Sequence, residues 1–386
     1  MMKQSHTLKV LITGDYCPVN ITITNCQNRQ FDKIYNDVLP VIQDKDVSIM
    51  NLECPLIDIM TPITKSGPIL FAPTCCIEGI KYGDFDVAAL ANNHILDQGD
   101  RGIESTVKVC EVNGIRTVGA GMNALEASRT LFLETRNAVI AVINSTENEH
   151  SIATSSGAGA NLLDDINMYY AIQEAKSKAD YILLIVHSGN EKYHLPNPRM
   201  VDRFRFYADL GATAVIAHHS HVPTGYEIYN GVPIFYGLGN FIFDKKKPTY
   251  DYWHQGYICR LELEKSRVKK FDIIPYFQNK EHDGLKLMTG INQSTFNQRM
   301  KELSEIISDH NTLFENWIKY STNKTNRKWY LRVLLNFNLI QQIAYRLKIL
   351  NKKIINRNQL IKLLTLFRCD SLRDIIIKLI EKELDT

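Results

Sequence analysis

The sequence predicts an α/β fold with a helical C-terminal extension, and three observations carry that reading. Between Leu8 and about Tyr276, short β-branched runs alternate with stretches of helical periodicity, the pattern of a sheet flanked by helices. Glycine stops at Gly290, and Leu, Ile, Lys and Asn dominate the remainder of the chain. Charge divides along the same line. Residues 321–380 hold 13 Lys/Arg against 2 Asp/Glu, which leaves 32 basic and 40 acidic residues in the rest of this +3 chain. The boundary is placed near 281, giving an α/β domain over 1–280 and a basic helical extension over 281–386.

Taken in order, the candidate strands are Leu8–Thr13, Val47–Met50, Val87–Leu90, Ala138–Ile143, Tyr181–Val186, Ala214–Ala217 and Pro233–Tyr236. Helices are expected over Arg101–Asn113, with Gly114 as its stop, over Asp164–Lys178, and over Met200–Leu210, stopped by Gly211. Tyr257–Leu263 and Phe271–Tyr276 alternate and read as antiparallel additions to the sheet. In the extension, Leu339, Ile340, Ile343, Leu347 and Leu350 follow helical spacing, as do Leu372, Ile376 and Leu379.

Composition narrows the class. With 45% apolar and 23% charged residues the chain is neither disordered nor collagen-like. Eight cysteines in 386 residues, none at C-x-x-C spacing, are too sparse for a disulfide framework or a zinc knuckle and point to a reduced cytosolic chain. Met1–Val10 lacks the pattern of a secretory signal, and no run of about 18 apolar residues spans a bilayer. The expected location is therefore cytoplasmic, with contact at the inner membrane face left open.

What carries chemistry is the set of polar residues at the strand ends. Leu8–Thr13 leads into Gly14-Asp15, Val47–Met50 into Asn51-Leu52-Glu53, and Val87–Leu90 into Ala91-Asn92-Asn93-His94. Tyr181–Val186 ends in His187, with Glu191 four residues on. Ala214–Ala217 runs into His218-His219-Ser220-His221, and Pro233–Tyr236 into Gly237-Leu238-Gly239-Asn240. Ligands of open α/β sheets bind beyond the carboxyl ends of the strands, so six such ends describe one site. Carboxylates, amide and imidazoles together suit two divalent ions, which at about 3.5–4 Å apart would make water nucleophilic near neutral pH and clamp the oxygens of a phosphoester.

In order, Gly14-Asp15, Asn51-Leu52-Glu53, Asn92-Asn93-His94 with Asp97-x-Gly99, His187-x-Gly189-x-Glu191, His219-x-His221 and Gly239-Asn240-Phe241 resemble the motif series of the CapA family. This family serves synthesis of poly-γ-glutamate and other capsular polymers and is a branch of the calcineurin-like metallophosphoesterases. The resemblance spans roughly residues 8–245. It implies a four-layer α/β/β/α sandwich with a binuclear centre, its metal being Mn, Fe, Zn or Mg. Asp15 would hold the first metal and Glu53 would bridge. Asn93, His187 and His219 would hold the second, and His221 would return to the first. His94 would sit beside the site as leaving-group acid or transition-state stabiliser, with Asp97 and Asn240 expected as further catalytic residues. Three departures stand out: Cys17 where the superfamily has the histidine of Asp-x-His, Glu53 where most members have Asp, and His218 where the family usually has Gly. Cys17, Glu191 and His218 are carried as further ligands or supports of ligands.

Plainer readings stand beside these. An Asp after a strand caps helices, Asn92-Asn93 makes a turn, Asp97 orients His94 or caps the next helix, and His187 alone is a core histidine. Three histidines within Ala217–Val222 answer to neither packing nor turn chemistry. His6, His150, His194, His254, His282 and His310 fall in no constellation. The basic extension packs on the α/β domain, adsorbs to an anionic leaflet at about 1 kcal/mol per cation, or binds nucleic acid. The last ranks lowest because the main domain is acidic and carries no nucleic-acid motif. The expected function is metal-dependent hydrolysis of a phosphoester or related linkage in surface-polymer synthesis. The alternatives are a non-hydrolytic assembly factor for a polymer synthase, and transfer or cutting of an amide-linked chain.

Overall fold

A computed structural model describes residues 7–245, 251–279, 284–326 and 357–384. Two sheets are stacked face to face. In the first, Leu8–Cys17, Val47–Leu52, Val87–Ala89 and Arg116–Val118 run parallel, and Gln255–Glu264, Arg267–Gln278 and Leu285–Leu287 continue it antiparallel. In the second, Val139–Thr146, Tyr181–His187, Ala214–His218 and Val232–Phe235 are parallel, with antiparallel edges at Leu131–Glu134 and Tyr226–Tyr229.

Alternation along the strands builds the layers, because successive side chains point to opposite faces. Val10, Ile12 and Ile49 meet Val142, Leu183, Ile185 and Ile216 between the sheets. Leu11, Met50 and Ala88 face the other way and take Ile34, Ile80, Ile103 and Cys110 from the outer helices. Ile143, Leu184 and Val215 do the same on the far side against Met168, Ile172, Met200 and Phe204. The result is the α/β/β/α sandwich the resemblance implied.

The helices expected before Gly114 and Gly211 are Gly99–Val112 and Pro198–Leu210, and both glycines sit at positive φ, 78° and 117°. Asp164–Lys178 is observed as Asp165–Lys176, capped by the Asp164 side chain. Short strands at Arg116–Val118, Leu131–Glu134, Tyr226–Tyr229 and Asn240–Phe243 were not expected from periodicity, because each is too brief to show a period.

Leu285–Leu287, just past the expected boundary near 281, still pairs in the first sheet. Gly290–Ser308 then buries Phe296 and Met300 between the two sheets, and His310–Ser321 comes next. The helices Arg357–Arg368 and Asp370–Leu384 fold back onto the α/β part. Leu339 to Leu350 lie outside the described residues. Among those described, no helix is long and apolar enough to cross a membrane.

The strand end carrying Asp15 is held by a close backbone approach. Asp15 N donates to Gly239 O at 3.1 Å, and a Cβ on Gly14 would stand 1.9 Å from that same oxygen. Below it, His218 Nε2 lies 2.9 Å from Thr13 O and ties the sheets together. Gly14→Ala is expected to cost about 3 kcal/mol, since the obstacle is backbone and cannot rotate away. Urea unfolding of the two proteins measures it.

Candidate metal centre

The carboxyl ends of both sheets meet along one rim, and six of the expected side chains converge there. Asp15, Glu53 and His221 form one group whose ligand atoms lie within 4.8 Å of one another; Glu53, His187 and His219 form a second. Asn93 joins the second through Oδ1, 3.1 Å from His187 Nε2. His219 Nδ1 is 3.0 Å from that same nitrogen. Glu53 belongs to both groups, with Oε1 3.6 Å from His187 Nε2 and 3.7 Å from His221 Nε2.

These separations are too long for hydrogen bonds to Glu53. They come close to the spacing of about 3–3.5 Å kept by two donors that each sit about 2.0–2.2 Å from a shared ion. The decisive observation concerns unmet atoms. Both carboxylate oxygens of Glu53 and Oδ2 of Asp15 are buried without a hydrogen-bond partner. A buried carboxylate left so is costly unless a cation completes it, so these residues fit a divalent metal.

Local backbone aims the imidazoles. His219 and His221 both adopt positive φ, 89° and 57°, on either side of Ser220. Such conformations are rare for residues with a Cβ and cluster at functional sites. His221 Nδ1 lies 3.0 Å from Asn240 Oδ1 and 3.2 Å from Asp15 Oδ2, and the Asn240 amide is fixed by donating to Trp253 O. The Trp253 ring packs on His221, centroids 5.0 Å apart.

Charge is graded across the group. Burial and the neighbouring imidazoles, His219 first, hold His187 far below its ordinary pKa, in the neutral form that can ligate. Burial pulls His219 down as well, but the carboxylates of Glu149 and Glu147 outweigh it and raise that pKa. They face the ring's outer nitrogen, Nε2, at 3.5 and 3.9 Å, the arrangement that turns the other nitrogen toward a metal. Beside the donors, His94 Nδ1 is 2.7 Å from Asp97 Oδ2. Burial, more than any neighbour, keeps the His94 pKa low.

Two expected residues sit elsewhere, and a third, Glu191, joins neither donor group but lies near enough for its charge to act on Glu53 and His219. Cys17 lies in the apolar cluster beneath the outer helices with Cys54 and Leu56, and belongs to neither donor group. A register shift between Asp15 and Tyr16 rotates the strand there, and burial drives the thiol pKa well up. His218 points back to Thr13. Glu191 is exposed, its carboxylate 3.6 Å from Lys192 Nζ; the atom beside His187 Nδ1 is instead the Asn51 amide nitrogen, at 3.2 Å.

Four contributors went unassigned from sequence. Asn51 Nδ2 also donates to Asp15 Oδ1 at 2.8 Å and so links the two donor groups. Glu147 and Glu149 come after a strand expected to end at Ile143; it extends to Thr146 and supplies a further acidic strand end. Lys65, from the irregular stretch before Phe71, buries its ammonium against Asp97, His94 Nδ1 (3.1 Å) and Asn93 O (3.4 Å).

Against known proteins, residues 9–245 match the model of the family described as bacterial capsule synthesis protein PGA_cap. The chain belongs to this family. Capsule-synthesis relatives include the PGA biosynthesis protein CapA of Bacillus subtilis, 28% identical over 249 residues, covering 63% of this chain and 64% of that protein. The capsule biosynthesis protein CapA of Bacillus anthracis is 28% identical over 223 residues, covering 55% of this chain and 54% of its own length. The chain thus spans between half and two thirds of the relatives it matches. Among solved structures, a Bacillus subtilis calcineurin-like phosphoesterase is similar at TM-score 0.41 and 13% identity, covering 79% of this chain and all of that one.

Two outcomes are expected for this centre. Asn51→Leu should weaken divalent-ion affinity 10- to 100-fold, as losses of groups that orient ligands do, read by titration with Mn²⁺ or Zn²⁺. Burial, then the Asp15 charge, raises the Glu53 pKa well above the carboxylate range in the metal-free protein. A raised folded-state pKa gives stability that is complete below the ordinary carboxylate value and lost as pH rises through the folded one. Metal-free Glu53→Gln should therefore be more stable than metal-free wild type at pH 8 by about 1–3 kcal/mol. Chemical denaturation checks the sign.

Proposed function

We propose that this chain is a metal-dependent hydrolase of a phosphoester or related linkage, acting in the synthesis of a capsule-type surface polymer. The observation that carries the reading is Glu53, a buried carboxylate with no partner, shared by two groups of ligands at a rim built from both sheets. Two divalent ions bound there would polarise the scissile linkage and activate water. The chain's own residues supply the rest. Asn51 holds Asp15 in place and Asn240 holds His221. Asp97 holds the Nδ1–H of His94, so the opposite ring nitrogen would have to take up a proton before it could pass one to the departing oxygen.

The biological setting comes from the family and from relatives whose names say capsule, PGA or polyglutamine synthesis, one of them an accessory protein of Mycobacterium tuberculosis. The substrate is accordingly a surface-polymer precursor or the polymer itself, and a polymer synthase is the expected partner. Contact with an anionic membrane face through the basic extension fits the same setting.

One observation favours a second reading, a non-hydrolytic accessory role on the same fold. With Cys17 turned into the core, the first group counts only Asp15, Glu53 and His221, while the second adds Asn93 to its three.

Elemental analysis of purified protein separates the readings, with close to two metals per chain expected for the hydrolase. Turnover of bis-p-nitrophenyl phosphate with Mn²⁺ should fall at least 100-fold in His221→Ala. Bound metal without turnover on any phosphoester supports the accessory role, and protein that binds no metal overturns both.

A further inference from the structure

Each of the six converging side chains is at most 5% exposed. A linkage within a polymer reaches them only by passing whatever lies over the rim. The element over the rim is the pair of tail helices, Arg357–Arg368 and Asp370–Leu384, and its contacts fall on both sides of the centre.

On the His219 side the anchor is Glu147, only 2% exposed. It takes hydrogen bonds from Gly189 N (2.9 Å), Ser371 N (3.1 Å), Ser371 Oγ (3.0 Å) and Cys369 Sγ (3.1 Å). Ser371 lies in the first turn of the second tail helix, where backbone N–H groups lack intrahelical partners. A carboxylate from the α/β part thus completes a helix more than 220 residues away, and that same carboxylate faces His219 Nε2. On the His94 side, Thr365 Oγ1 lies 2.9 Å from His150 Nε2, and Ser66 Oγ lies 3.0 Å from the same nitrogen. Ser66 adjoins Lys65, the residue packed on His94 and Asp97.

Outside this line the docking is electrostatic. Asp370 pairs with Arg203 at 3.2 Å and Asp374 with Arg199 at 3.4 Å; these are the two acidic residues of 321–380. The apolar packing lies elsewhere, where Leu366, Ile375, Ile376 and Leu379 surround Trp317. The contacts over the site are polar and the apolar anchor is the cluster around Trp317, so the pair can tilt about that anchor without unfolding.

We infer that the tail helix pair is a releasable cap, which closes the metal centre through Glu147 and His150 and must swing away before a polymeric substrate enters. This goes beyond the proposed function, and its test does not require catalysis.

Diethyl pyrocarbonate modification of the full-length, metal-free protein, mapped by mass spectrometry, reads access to His187, His219 and His221, with exposed His310 as internal standard. A Ser66→Cys/Thr365→Cys pair locks the cap when oxidised; the three histidines should then react at least 10-fold more slowly than in the same protein reduced. Arg199→Glu/Arg203→Glu repels Asp370 and Asp374 and should speed their modification at least 10-fold. Adding Asp370→Arg/Asp374→Arg should return the rate toward wild type, which a merely misfolded variant would not do. Equal rates in the locked, wild-type and repelled proteins overturn the cap. Rates that respond as expected in a protein lacking phosphoesterase activity leave the cap standing and count against the hydrolase alone.

Discussion

The arrangement depends on one unbalanced charge. Glu53 buries a carboxyl group that has no hydrogen-bond partner among the described residues, so its charged form is favoured there only when a cation completes it. Much of the surrounding structure serves to hold the other donors against it. The first sheet delivers Asp15, Glu53 and Asn93, and the second delivers His187, His219 and His221. The centre therefore exists only if the two sheets stack in one register. His218, bonded across to Thr13, and the contact of Gly14 with Gly239 fix that register directly beneath the donors. Those residues look structural in isolation, yet their effect is to set distances within the site.

Electrostatics then separates imidazoles that would otherwise behave alike. His187 and His219 approach to 3.0 Å through ring nitrogens, and two protonated rings could not coexist at that distance. Burial resolves the conflict for His187 by keeping it neutral. For His219 the resolution is the pair of carboxylates behind it, whose charge favours a proton on Nε2 and so the lone pair of Nδ1 directed inward. Glu147 thereby does two things at once, orienting a ligand and completing the first turn of a distant helix. The tail and the centre therefore meet at that single side chain.

How much of this was legible depends on the type of signal each residue carries. Strand ends are visible because apolar runs stop abruptly, and Asp15, Glu53, Asn93, His187, His219 and His221 all stand within a few residues of such a stop. The four layers became legible only through the family resemblance, since alternation by itself does not say which sheet faces which. Glu147 and Glu149 were hidden because Asn144, Ser145 and Thr146 look like a loop by residue type, yet continue a fully buried strand, Asn144 bonding across to Ile185 O. Asp-x-Cys spacing puts Asp15 and Cys17 on one face only in a regular strand, and register shifts at Ile12/Asp15 and Asp15/Tyr16 break that alternation. Lys65 and Ser66 come from an irregular stretch whose contacts with residues 93–97 and 150 no local period encodes.

The charge split between the two parts of the chain gains a physical meaning from how the tail docks. A segment with 13 cations and 2 anions has little of its own with which to attract basic groups, yet both anions are spent on Arg199 and Arg203 of the α/β part. Arg357, Lys362 and Arg368 are meanwhile exposed on the first tail helix. Docking thus turns Asp370 and Asp374 inward and leaves Arg357, Lys362 and Arg368 outward, together with exposed Leu364 and Phe367. An anionic surface or partner that draws on those cations pulls on the polar contacts of the tail, with the apolar cluster around Trp317 as the anchor. The free energy that opens the site can therefore come from outside it, without any contact to the metal ligands themselves.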